Sequence, residues 1–326
     1  MTPDQARLAA LRKFGNVTRI KEETWEVWSF PWLEQLFRDV CFGARTLWRN
    51  PGFTIVAVLT LTLGIGANTA IFSVVQGVVL AALPYPEPDR LVIVEENRPN
   101  LKQLGISYPD FLDWQRNTRS FEQMDALTWR NYDVTGSGAP QHLDGMTVSS
   151  GFFATLGVKL ASGRDFSPSE DQPHGALAVI ISDRLWKDRF ASSPQALGKT
   201  MILDGMDSTI IGILPPGFPF LTNADVYTPL AQSEPLLYND RTIRGIASIA
   251  RLKPNVSIGQ AQAETGAVQD NLDRLYPAAD GNLGVDVTPL KQAIVGDAGG
   301  TLFLLLGAVG IVLLIVCTNV ANLLLA

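Results

Sequence analysis

The sequence predicts a membrane protein in which two transmembrane α-helices flank an α+β extracytoplasmic domain, with short cytoplasmic helices at the N-terminus. Two observations carry the membrane part. The run from Asn50 to Pro86 contains no Asp, Glu, Lys or Arg, and neither does the run from Ala298 to Ala326. Each exceeds the roughly 20 apolar residues that a helix needs to cross a bilayer. A buried helix of a soluble protein is usually amphipathic and rarely passes about 25 residues without caps. A signal peptide has a short charged lead and a shorter apolar stretch, whereas here some fifty residues precede the first run. The third observation is the charge between the runs. Residues 1–52 hold eight basic and six acidic residues, and residues 87–297 hold eighteen and twenty-six. Basic residues gather on the cytoplasmic side of spans, and Arg38, Arg45 and Arg49 stand just before the first run. The N-terminus is therefore placed in the cytoplasm and residues 87–297 outside it. The negative balance of that middle portion argues against a nucleic-acid partner.

The elements follow in order. Residues 1–30 form a cytoplasmic segment whose first helix has Thr2 as N-cap, Pro3 at its first position and Gly15 past its end. Residues 31–50 place Leu33, Leu36, Phe37, Val40, Ala44, Leu47 and Trp48 on one helical face, the pattern of a helix lying in the membrane interface. Asn50 and Pro51 then open the first spanning helix, residues 51–83. At 1.5 Å per residue it reaches about 50 Å, longer than a bilayer core of about 30 Å, so it extends as a stalk.

Residues 84–297 read as mixed strands and helices, hence α+β. "LVIVEE", "ALAVIIS" and "GVDVTPL" are strands, and "TMILDGMDSTIIGIL" is a hairpin turning on Asp204 and Gly205. "SIGQAQAETGAVQDNLDRLYP" is a helix opened by a Ser257–Gln260 capping box, with Ile258, Ala261, Thr265, Val268, Leu272 and Leu275 on its inner face. Cys41 and Cys317 both fall outside this domain, so it has no disulfide, and its size supports a core without one. Residues 298–326 are the second span.

Bond-making chemistry finds no foothold in the pattern. "LGKT" at Leu197–Thr200 has Ser193 where a phosphate loop needs glycine. His142 and His174, the only histidines, lack partners at metal-ligand spacing. Asp110 and Asp113 in "SYPDFLDW" sit on the solvent face of a helix that buries Phe111, Leu112 and Trp114. No catalytic, cofactor or metal site is assigned. The candidate functional residues are instead small and polar ones inside the spans. Helices in lipid associate through close backbone contact and hydrogen bonds between helices. Gly66, Ala70, Ser73 and Gly77 make one stripe, Gly64 is a further small candidate, and Asn68, Gln76, Asn319 and Asn322 add polar groups that are costly against lipid alone. Ala57 and Val75 lie opposite the stripe, where leucine should be tolerated. The competing reading is that Ser and Thr only bond their own backbone.

Seven blocks carry a family resemblance: "LTLGIGANTAIFSVVQGVVLAALPYPEPDRLV", "SYPDFLDWQ", "VSSGFFATLGVKLASGRDF", "VIISDRLWKDRF", "LDGMDSTIIGILPPGF", "ARLKPNVSIGQAQAE" and "VGIVLLIVCTNVANLLLA". In this order they resemble permeases of the MacB/FtsX type of ABC transporter, with the MacB-like periplasmic core domain between the first two spans. "ALRKFGNVTRIKEET" resembles the N-terminal prefix of a subgroup whose permease unit is duplicated. The resemblance implies a bacterial inner-membrane permease that forms dimers and is driven by a separate ABC ATPase. It also implies a periplasmic adaptor and an outer-membrane channel as partners, and no cofactor. The family continues after "NVANLLLA" with further spans, so the chain is expected to be a fragment or a truncated frame. The alternative function is a membrane-anchored sensor or regulator whose outer domain binds a ligand or activates an envelope hydrolase. Membrane fractionation should recover the chain in the integral fraction, with external protease reaching residues 87–297; intact protein in the high-salt soluble fraction would contradict the two spans.

Overall fold

The computed structural model describes residues 31–98, 101–136, 139–218, 224–232, 240–296 and 298–325. The expected prefix helix of residues 1–30 lies outside them. Helix α1, Pro31–Arg49, precedes α2, Pro51–Val75, whose proline stands in the first turn where no amide donor is missed. Inside α2, Thr60 Oγ1 donates to Val56 O at 2.5 Å and Ser73 Oγ to Thr69 O at 2.8 Å. These bonds satisfy hydroxyls that would otherwise meet an apolar surrounding. The helix then widens into a π-turn, Gln76–Leu80, and stops, three residues short of the Leu83 expected from the sequence. Pro84 and Pro86 keep the following chain out of the α-helix, and it turns at Glu87, at φ +45°, into a single 3₁₀ turn, Pro88–Arg90.

The α+β domain begins with β1, Leu91–Arg98, and β2, Leu101–Leu104, followed by α3, Tyr108–Asn117. The Ser107 hydroxyl caps α3 by accepting from Asp110 N at 3.2 Å. Strands β3, Phe121–Thr135, and β4, Gln141–Val148, lead to the short helix α4, Phe152–Leu156. Next come β5, Ser162–Gly163; β6, Ala178–Ile181; and α5, Asp183–Phe190, capped by Ser182. β7, Thr200–Leu203, and β8, Met206–Ile213, form the expected hairpin, with Asp204 and Gly205 at φ +50° and +80°, as its tight turn needs. After β9, Val226–Pro229, and β10, Ala247–Leu252, helix α6 spans Ile258–Leu275 and carries the capping box read from the sequence. Strand β11, Gly284–Pro289, and helix α7, Leu290–Val295, lead into α8, Ala298–Leu325.

All eleven strands among the described residues join one sheet in the order β11-β1-β10-β3-β4-β9-β6-β8-β5, with β2 beside β1 and β7 beside β3 and β8. Both faces are covered, which explains the unbroken "LVIV" at the start of β1. Leu91 and Ile93 pack with Phe152, Phe153 and Leu156 of α4 on one side. Val92 and Val94 pack with Phe111, Trp114, Ala261 and Leu272 of α3 and α6 on the other. A third cluster joins Val179, Ile181, Leu185, Ile210 and Val226 around α5. The outer edge at β11 is closed by a side chain: Gln262 Oε1 accepts from Val287 N at 2.6 Å while its Nε2 donates to Val285 O.

Two expectations are corrected. Leu275 is exposed, and Gln269 takes the buried place, accepting from Trp114 Nε1 at 3.0 Å. Ala261, Thr265, Gln269 and Leu272 follow helical spacings of four, four and three, and Leu275, three residues further on, is the last residue of the helix. Asp110 and Asp113 do not face solvent. Asp110 is buried and Asp113 half-buried, because Arg241 brings its guanidinium to both.

Gly163 and Gly205 separate two costs of adding a methyl group. A Cβ on Gly163, at φ +85°, would stand 2.2 Å from Ile211 O, whereas one on Gly205, at φ +80°, meets nothing within 4 Å. Gly163→Ala should cost more than about 3 kcal/mol in denaturant unfolding, and Gly205→Ala about 1–2 kcal/mol from its left-handed backbone alone.

Candidate functional site

The chain divides into two compact units, Met1–Gly77 with Gly300–Ala326, and Val78–Gly299. In the first, α2 and α8 meet at Gly64. A Cβ there would lie 3.2 Å from Leu313 Cδ1 and 3.9 Å from Val316, so the missing side chain lets the helices close. Around this contact Val56, Ala57 and Thr60 of α2 face Val316, Asn319, Val320 and Asn322 of α8 across a groove. The structure thus places Gly64 against Leu313 and Val316, and Asn319 and Asn322 against Val56, Ala57 and Thr60. Asn68 is half-buried, and Gly66, Ala70, Ser73, Gln76 and Gly77 are exposed. A Cβ on Gly66 or Gly77 meets nothing within 4 Å.

Sequence reasoning missed Ala57 as part of the contact. Its spacing of seven from Gly64 puts both on one helical face, which was the available signal. The choice of Ala57 and Val75 as tolerant positions is corrected too, since they are 7% and 1% exposed. Val74, 49% exposed, suits a control better.

In the second unit the segments leading to both long helices share one hydrophobic cluster. Tyr85 and Leu290 are buried in it with Leu91, Ile249, Phe153 and Tyr227, and Leu83 and Ala293 pack against it. Phe218 links the rings, 6.4 Å from Tyr85 and 5.9 Å from Phe153 between centroids, and Phe153 lies 5.4 Å from Tyr227. Burial drives the phenols of Tyr85 and Tyr227 far above their ordinary range, so both stay neutral. Arg251 of β10 adds a polar tie. Its Nε donates to Thr155 O at the end of α4 at 2.9 Å, and its Nη1 donates to Pro86 O at 3.1 Å. Burial, then the neighbouring Arg90, lowers the Arg251 pKa. On the other connection, Lys291 Nζ reaches Leu80 O at 3.4 Å. Rings, aliphatic groups and carbonyl ties fix position; the cluster holds no paired nucleophile and base.

Along the chain, two long apolar helices flank an α+β domain that gathers both connections in one cluster. The model of the MacB-like periplasmic core domain matches residues 54–268, more than half of the chain. The chain belongs to that family, whose domain is found in MacB/FtsX-type ABC transporter permeases. The macrolide export ATP-binding/permease protein MacB of Campylobacter fetus subsp. fetus is 27% identical over 155 residues, which are 47% of this chain and 22% of the relative. The aligned stretch is therefore about a fifth of that protein's length. Among solved structures, a domain of a protein described as a permease, from Porphyromonas gingivalis, is 18% identical. It aligns with 64% of this chain and 92% of its own at a TM-score of 0.49. The periplasmic region of MacB from Actinobacillus actinomycetemcomitans is 15% identical, with 70% and 98% covered and a TM-score of 0.46.

Replacing Gly64 by leucine should separate α2 from α8, lowering crosslinking between cysteines placed on the two helices by an amount worth about 1 kcal/mol. Val74→Leu should leave that crosslinking unchanged.

Proposed function

We propose that the chain is the N-terminal part of a permease subunit in an ABC-transporter-type export system of the bacterial inner membrane. A separate cytoplasmic ATPase drives the helices, and the extracytoplasmic domain, residues 87–297, converts their motion into export. The observation that carries this reading is the shared cluster of Tyr85 and Leu290. A domain whose two connections are packed into one core responds to a displacement of either as a rigid body. Family membership supports the permease assignment.

The spans in this reading are Thr54–Val75 and Gly299–Asn322, with mean hydropathies of 2.0 and 2.8. Helix α1 lies on the cytoplasmic surface of the bilayer, with Leu36, Phe37, Val40 and Trp48 exposed for lipid and Arg38, Arg45 and Arg49 on its polar side. The stripe of Gly66, Ala70, Ser73 and Gly77, with Gln76 beside it, is the surface for another helix of the assembled transporter. A second permease copy is the expected partner, and an adaptor and an outer-membrane channel complete the export route.

Purification from native membranes in mild detergent should yield the chain with an ATPase whose turnover it alters. The Gly66→Leu, Gly77→Leu double variant should weaken crosslinking between first helices and uncouple ATP turnover from transport, while the outer domain keeps its protease resistance. A chain that alters no ATPase turnover, or unchanged crosslinking and coupling in the double variant, would overturn the proposal.

A further inference from the structure

The loop 240–246 enters β10 and is fastened by two arginines to three other parts of the domain. Arg241 donates through Nη1 to Asp110 and through Nη2 to Asp113, both on α3, and its guanidinium stacks 4.0 Å from the centre of the Tyr276 ring. Arg244 donates through Nε to Glu96 Oε2 of β1 at 2.6 Å. Its Nη2 donates to Ala279 O at 3.0 Å and to Asp280 Oδ1 at 3.1 Å, after α6. Four carboxylates thus meet two guanidiniums, and Glu96, Asp110 and Asp280 are wholly buried.

The elements packed around this cluster do not restore the balance. On β1, Arg98 shares the strand face of Glu96 but is exposed. On α3, Ser107 Oγ donates to Asp110 Oδ2 at 2.5 Å, and Arg116 lies at the far end of the helix. On α6, Asp273 accepts from Gln269 Nε2 and from Asn282 N. Strand β11 sets Val285 opposite Glu96. Glu96 Oε1 and Asp280 Oδ2 are buried with no hydrogen-bond donor among the described residues. No group of three or more metal-ligating side chains among those residues is arranged to hold a metal ion. A buried carboxylate oxygen without a donor is costly, and protonation removes the charge and supplies a donor at once.

We propose that this cluster is a proton-dependent clasp, which holds loop 240–246 against α3 and β1 while Glu96 or Asp280 carries an extra proton and slackens when that proton leaves to water. Burial, the largest cause, pushes Glu96 from 4.5 up to about 8 against the pull of Arg244. Burial and then Asp110 push Asp280 from 3.8 up to about 6. Once the loop opens, water reaches the carboxylates and their pKa values return toward the ordinary range. A group whose pKa is raised in the closed state favours closure fully at low pH. That preference is lost as pH rises from about 4.5 through about 8 and levels off above it. In the proposed topology the clasp faces the medium outside the cytoplasm and reads its pH directly.

Hydrogen exchange of the full chain in lipid nanodiscs tests this at the Ile243, Gly245 and Ile246 amides, which donate to Asp240 O and Ile106 O. After correction for the intrinsic chemical rate, protection should fall at least tenfold between about pH 6 and pH 8, within the limit of about tenfold per pH unit for one proton. Glu96→Gln keeps the Arg244 bond and mimics the neutral acid, so protection should stay high and flat. Glu95→Gln, on the other face of β1, should keep the native dependence. Should Glu96→Gln fail to fold, Asp280→Asn serves in its place and should reduce the slope. Flat protection in the native chain, or a native slope in the folded Gln or Asn variant, would overturn the clasp.

Discussion

The arrangement depends on one constraint: Tyr85 and Leu290, more than two hundred residues apart in sequence, are buried in the same hydrophobic cluster. Tyr85 follows the end of α2 at Val75 by ten residues, and Leu290 precedes the start of α8 at Ala298 by eight. The connections are therefore part of the domain's core and not loose tethers. The proline-rich segment from Pro84 to Pro88 on one side and the short helix α7 on the other bring the chain there. Arg251 ties the first connection to the carbonyl end of α4. The bond from Nε to Thr155 O is buried, so breaking it would strand both groups, and this resists displacement of the guanidinium.

The sheet makes this root stiff. It is covered on both faces over its β1-side half, so the residues of β1 alternate between two cores instead of between core and solvent. Close packing of that kind transmits a displacement with little deformation. At the β11 edge, Gln262 occupies backbone groups that would otherwise pair with another strand. The domain is thus finished along that edge.

Local and long-range features differed in how far the sequence disclosed them. The uncharged runs, the Asp204–Gly205 turn and the Ser257–Gln260 capping box were legible because each depends on residues within a few positions of one another. Asp110 was misread because its partner, Arg241, lies 131 residues away, and nothing in "SYPDFLDW" distinguishes a buried carboxylate from a solvated one. Gln269 was missed for the same reason, its partner Trp114 being 155 residues off. Within the first span the small residues were visible, but not which of them meets α8. Gly64 and Gly66 differ by two positions, about 200° around a helix, and only the partner's placement decides between them. Arg251 had no sequence signal at all, since its acceptors are backbone carbonyls.

A double-mutant cycle on Tyr85→Ala and Leu290→Ala, measured by denaturant unfolding of the full chain in detergent, tests the shared root most directly. Residues that share one packed cluster show a coupling of about 1 kcal/mol or more, which is the predicted result. Additivity to within about 0.3–0.5 kcal/mol, as for independent sites, would mean that the two connections are anchored separately and would contradict the account.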